Sequence, residues 1–128
     1  MNFPADLRYT KDHEWARREG STVTIGVTDH AQSSLGDVVY VDLPKTGRVL
    51  KSHETFGVVE SIKAVSDLYS PLAGTVVAVN SELPNDPATV NRDPYGAAWM
   101  IKIELANAAE FDGLMDAKAY TDYVASLG

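Results

Sequence analysis

Lys63 sits between two extended stretches, Gly57-Val58-Val59-Glu60-Ser61-Ile62 and Ala64-Val65-Ser66-Asp67-Leu68-Tyr69, and Ser70-Pro71 with Gly74 closes the second. The β-branched residues on both sides predict two strands, and the Pro-x-x-Gly spacing predicts a turn after them. A lysine at the tip of such a hairpin holds its amine on a flexible four-carbon stem. A modifying enzyme reaches it easily, and rigid strands keep it in place. Spacing alone leaves a second reading open, that Lys63 is an ordinary surface lysine among the six of the chain.

No other grouping offers a complete reaction centre. His13, His30 and His53 show no HExxH or other close ligand spacing, which argues against a metal site. The chain has no cysteine, which excludes disulfides, Cys-based zinc sites, thiol nucleophiles and CxxC redox chemistry. GxSxG, a Walker-type lysine loop and a strand-linked GxGxxG are all absent. Asp12 and Glu14 are carboxylates two residues apart, a pattern that is common on exposed strands and needs a pocket before it does acid–base work.

The elements that must position Lys63 belong to one small domain. A length of 128 residues predicts a single unit spanning 1–128, and 45% apolar residues are too many for a disordered chain. Such a chain buries roughly two thirds of its unfolded surface and folds without a staple. It has no 18-residue apolar run, and its N-terminus lacks a basic stretch followed by an apolar one. The expectation is a soluble, cytosol-type protein with no membrane association. A net charge of −7 argues against nucleic acid and anionic membranes as partners.

Strand signals fill the first three quarters. Val23, Ile25 and Val27 alternate with Thr22, Thr24, Gly26 and Thr28. A run from Asp37 to Leu43 stops at Pro44, a run from Thr75 to Asn80 enters a Pro- and Asn-rich loop over 81–94, and Trp99 to Leu105 reads as a last strand. Gly36–Val41 resembles Gly74–Val79, which suggests two similar β units or a chance likeness of Val-rich strands. Trp15, Trp99 and the valines are candidate core residues, and His30 reads as a capping or packing histidine. Near the C-terminus, Asn107 and Glu110 have capping-box spacing before Phe111, Leu114 and Met115. Asp116 is placed to cap a helix carrying Tyr120, Tyr123, Val124 and Leu127. The β core is expected over about 7–105 and the helices over about 107–126. The acids from Glu104 onward read as a solvated outer face.

The stretch Glu60-Ser61-Ile62-Lys63-Ala64, with Ser66-Asp67 and Ser70-Pro71-x-x-Gly74 downstream, resembles the lipoyl-lysine signature of the glycine cleavage system H protein family. The likeness continues in Tyr9-Thr10-x-x-His13-Glu14-Trp15, in Thr24 to Gln32, and in Leu35-Gly36-Asp37-Val38-Val39-Tyr40-Val41-x-Leu43-Pro44. It extends to Asn91-x-x-Pro94-Tyr95 and Trp99-Met100-Ile101-Lys102-Ile103, so that it covers about residues 7–125. The resemblance implies a mainly β fold, a barrel-sandwich hybrid of two small antiparallel sheets with short C-terminal helices.

It also implies a monomeric, non-enzymatic shuttle with lipoate amide-linked to Lys63. The expected partners are a glycine decarboxylase, an aminomethyltransferase, a dihydrolipoyl dehydrogenase, and a lipoate ligase or lipoyl/octanoyl transferase that attaches the group. The resemblance places Glu14 and Asp67 near a cleft for the lipoyl arm, and Glu60 and Ser61 where the attaching enzyme reads the hairpin. Two positions depart from the family pattern: Ala98 and His53 stand where glycine is usual, which bears on backbone freedom. Ile62 and Ala64, in place of methionines, argue against a biotin carrier. Two readings remain beside the shuttle: a lipoyl relay in another lipoate-dependent pathway, and a β-sandwich binding module with an unmodified Lys63.

Overall fold

The computed structural model describes residues 1–127, and its elements follow in chain order. They are β1 (Arg8–Tyr9), β2 (Glu14–Glu19), β3 (Thr22–Val27), α1 (Asp29–Leu35), β4 (Val38–Asp42), β5 (Val49–Leu50), β6 (Thr55–Ser61), β7 (Val65–Tyr69) and β8 (Gly74–Val79). A 3-10 turn at Leu83–Asn85 leads to α2 (Thr89–Arg92), β9 (Ile101–Leu105), α3 (Ala109–Asp112) and α4 (Ala117–Ser126). One antiparallel sheet has the order β1-β2-β3-β9-β8-β5, and a second has the order β4-β6-β7. This is the expected mainly β fold with short helices, and no closed barrel forms among the described residues.

The period-two pattern explains how the sheets face each other. Val23 and Ile25 of β3, Val76 of β8 and Ile101 and Ile103 of β9 join Val41 of β4, Phe56 and Val59 of β6 and Leu68 of β7 in one buried cluster. Val41 pairs with Val59 across the small sheet, and both are buried. On the neighbouring rung Tyr40, Glu60 and Val65 are paired and lie on the outer face. A second cluster of Leu7, Tyr9, Trp15 and Tyr120 fastens α4 to the β1–β2 end.

Gly57 is required where β6 passes β4. A Cβ there would collide with the Asp42 carbonyl oxygen, a backbone atom that moves only with its strand. Gly57→Ala is expected to cost about 2 kcal/mol or more, lowering Tm by roughly 10 °C in a thermal melt. An unchanged Tm would mean that the two strands separate at no cost.

Several expectations are corrected. Helix α1 has no counterpart in the strand-rich reading of residues 22–43, and β1, β2 and β5 were not read either. Val39, Val49, Val65 and Val77 are exposed, because a β-branched residue suits either face of a strand, and a bulge between Val38 and Tyr40 turns Val39 outward. Trp15 is fully buried, but Trp99 is only half-buried, with the Lys102 ammonium over its ring. Of the two similar stretches, the one after Gly36 lies in the three-stranded sheet and the one from Gly74 in the six-stranded sheet, a placement that does not contradict two similar β units. Asp116 does cap α4, accepting from the Ala119 N–H at 2.8 Å, although Leu127 beyond the helix is exposed. The capping box does not close. Asn107 accepts from Ala109 N–H, while the Glu110 carboxylate accepts from Ala73 N–H at 3.2 Å and ties α3 to the turn before β8.

Candidate functional site

The β6–β7 hairpin carries Lys63 at its tip, and Ser61 shapes that tip. Ser61 N–H donates to the Ala64 carbonyl at 2.8 Å, and Ser61 Oγ accepts from the N–H groups of Lys63 and Ala64 at 3.3 and 3.1 Å. Asp37 O accepts from Ile62 N–H at 3.1 Å, anchoring the tip to the residue before β4. Ser61 therefore faces inward, whereas Ile62, Lys63 and Ala64 are exposed. The Lys63 stem passes Gly36, where a Cβ would come within 3.3 Å of Cε. Glu60 is half-buried on the outer face beside Tyr40 and Val65.

A cleft of about 280 Å³ lies next to this hairpin. The β1–β2 turn contributes Asp12, His13 and Glu14, α1 contributes Ala31, Ser34 and Leu35, and the strand after the lysine contributes Val65, Asp67 and Leu68. The fold thus brings Glu14 and Asp67 to one cavity although 53 positions separate them in the chain. Asp67 is exposed, whereas Glu14 is buried. The Thr10 hydroxyl donates to Glu14 Oε1 at 2.7 Å, and Thr10 Oγ1 accepts from Glu14 N–H. Burial pushes the Glu14 carboxyl up to about 8, outweighing the Thr10 hydrogen bond; the Asp12 charge adds to the rise, and the Tyr69 backbone amide opposes it. Burial therefore favours the neutral acid form of Glu14 at neutral pH.

The walls are held from behind by residues of the other family-like segments. Thr28 caps α1 by accepting from Ala31 N–H. Asn91 accepts from Val38 N–H and donates to Gln32 Oε1 and Gly36 O, fixing the end of α1 and the chain beside Lys63. Tyr95 OH accepts from Asp29 N–H, and Pro94 O accepts from the Trp15 indole N–H. His30 packs its ring 4.5 Å from His13 and does not cap, a role that belongs to Thr28. Of the two departures, His53 adopts φ 68°, the left-handed region in which a glycine is freer, while Ala98 is buried with a negative φ.

Sequence reasoning missed Thr10 and Tyr120 as partners of the cleft. Thr10 was visible within the Tyr9-to-Trp15 stretch, but Tyr120 lies over a hundred residues away and carried only a helix-packing signal.

Among the described residues no group of three or more His, Asp or Glu side chains is arranged to hold a metal ion, and no helix is long and apolar enough to cross a membrane. The family model described as glycine cleavage H-protein matches residues 7–127. A glycine cleavage system H protein of Myxococcus xanthus is 60% identical over 120 residues, covering 94% of this chain and 93% of that one. The protein of the same description from Opitutus terrae is 61% identical over 120 residues, with 93% and 94% covered. The crystal structure of a glycine cleavage system H protein from Mycobacterium marinum superposes with a TM-score of 0.85 at 38% identity, covering 98% of this chain and 99% of that one. The chain belongs to the glycine cleavage H-protein family, a carrier component of that system and not one of its enzymes.

Proposed function

We propose that Lys63 is the attachment point of lipoate, joined through an amide, and that the neighbouring cleft shelters the arm and its aminomethyl cargo. The observation that carries this reading is the placement of an exposed tip lysine beside a cleft lined by both Glu14 and Asp67. The residues fit the group: Ala31, Leu35 and Val65 give an apolar wall for a hydrocarbon arm, and the two carboxyl groups suit a nitrogen at its end. When attached, lipoate would supply reversible thiol–disulfide chemistry, and Lys63 would present it in turn to a glycine decarboxylase, an aminomethyltransferase and a dihydrolipoyl dehydrogenase. The chain itself, read as a single domain in the bacterial cytoplasm, tethers, orients and excludes water. Tethering raises the effective concentration at each partner, and exclusion of water slows hydrolysis of a carbon that bears both nitrogen and sulfur.

Glu14 accepts or donates a hydrogen bond to the cargo nitrogen, and Asp67 adds a charge at the cleft edge. Ser61 serves the attaching enzyme, a lipoate ligase or lipoyl/octanoyl transferase, through the tip shape it enforces, and Glu60 through its carboxylate on the outer face. Intact mass and peptide mapping after incubation with a lipoate ligase, lipoate and ATP test the attachment. One lipoyl adduct on Lys63 is expected; an unmodified chain, alongside a modified control carrier, would bring forward the binding-module reading. For Asp67→Ala the aminomethyl-loaded protein is expected to decay about three- to tenfold faster, the worth of one charged contact. Equal lifetimes would remove Asp67 from this role.

A further inference from the structure

His13 takes φ 69°, one of only two non-glycine residues with positive φ among those described. It closes the β1–β2 turn: Thr10 N–H donates to Glu14 O at 3.0 Å and His13 N–H to Thr10 O at 3.1 Å. A glycine would suit this backbone better, which leaves room for a side-chain interaction that offsets the conformational cost. The imidazole provides one. His13 Nδ1 lies 2.8 Å from the hydroxyl of Tyr120, and the same hydroxyl lies 2.8 Å from Thr28 Oγ1. His13 immediately precedes Glu14, and Thr28 caps the helix that forms the opposite wall of the cleft. Thr28 N–H also donates to His13 O at 3.0 Å.

One buried hydroxyl from the C-terminal helix therefore joins both walls. The Tyr120 ring is fully buried, stacks on Tyr9 at 4.6 Å and meets the edge of Phe3 at 4.9 Å, so the ring is held independently of its hydroxyl.

We infer that His13 and Tyr120 are positioning residues of the cleft, linked through the Tyr120 hydroxyl so that the C-terminal helix holds Glu14 in its buried place. The inference rests on the cleft's role in sheltering cargo only for its functional consequence; the positional claim concerns Glu14 in the unloaded chain. His13 is surrounded by Asp12 and Glu14 on its own turn, His30 from α1, and Tyr120 and Tyr123 from α4, with Lys11 over the Tyr123 ring. Burial and then His30 press its pKa down, while Asp12 opposes them, which keeps the imidazole neutral and able to accept from the Tyr120 hydroxyl.

The test uses His13→Gly and Tyr120→Phe in the full chain. His13→Gly relieves the backbone and is expected to keep or raise Tm; Tyr120→Phe keeps both ring contacts. In each folded variant the Glu14 carboxyl, followed by carbon NMR in the unloaded protein, is expected to titrate about one unit or more lower, because a loosened turn admits water. A merely structural role would lower Tm and leave that midpoint in place. In the loaded protein the cargo is expected to be lost about three- to tenfold faster, the scale of one hydrogen bond. An unchanged Glu14 midpoint in His13→Gly overturns the inference, even if Tyr120→Phe fails to fold. If Glu14→Gln has a normal cargo lifetime, the sheltering role fails, while the midpoint still decides the positional claim.

Discussion

Lys63→Arg is expected to fold normally, to take up no lipoyl group, and to support no glycine-dependent decarboxylation above the blank in a reconstituted system. Arginine keeps the positive charge and the long stem, so the electrostatics of the hairpin tip are conserved. Its guanidinium stays protonated at any working pH and offers no free amine to an activated acyl group. The fold has little stake in the exchange, because the Lys63 side chain is exposed and only skirts Gly36. Stability should move by less than about 0.5 kcal/mol, and the loss should be in chemistry alone. Free lipoamide added to the variant would not restore the rate at comparable concentration, since a tethered arm works at an effective concentration in the millimolar range or above (~1 mM). Residual adduct on Lys63→Arg, mapped to another lysine, would relocate the attachment point.

The hairpin was legible in the sequence and the cleft was not, for a physical reason. Strand pairing of Glu60 with Val65 is local, so β-branched runs on either side of Lys63 suffice to announce it. The partnership of Glu14 with Asp67 depends on how two sheets and α1 stack, and it entered the reading only through family resemblance. Helix α1 was lost because Thr24-to-Gln32 begins as a strand, and a helix of seven residues leaves too few turns for its period to show. The short strands β1 and β5 have two residues each and no detectable period. The failed capping box at Asn107 shows the same limit: the spacing was right, but Ala73 N–H offered Glu110 a tertiary partner. Likewise, only the folded chain shows that Tyr120 reaches His13.

Glu14→Gln is expected to reshape the pH dependence of stability more than any other single change at the cleft. The folded carboxyl is pushed up to about 8 by burial, against an ordinary value of 4.5. Below pH 4.5 both states hold the proton, and Glu14 adds no pH dependence. Between 4.5 and about 8 the unfolded chain has released the proton and the folded chain keeps it, so stability falls as pH rises, by about 1.4 kcal/mol per unit. Above about 8 both forms are ionised and the penalty is complete, roughly 5 kcal/mol on this scale. Glutamine keeps an oxygen for the Thr10 hydroxyl and has no proton to lose. The variant should therefore lack this slope and be the more stable protein at pH 9.

His13, whose pKa is pressed down, works in the opposite sense: its contribution rises with pH until the unfolded imidazole has deprotonated. Urea melts of the two proteins at pH 5, 7 and 9 cancel that shared term in the difference. A constant difference across the three would show that Glu14 is ionised in the fold. On the sheltering role proposed for the cleft, the same proton would act on cargo: a neutral carboxyl would hand it to an amine entering the cleft, which leaves a buried ion pair and occupies the lone pair that would otherwise expel sulfur. Glutamine cannot do this, so the variant that gains stability at alkaline pH should be the one that loses its aminomethyl group faster, by about tenfold.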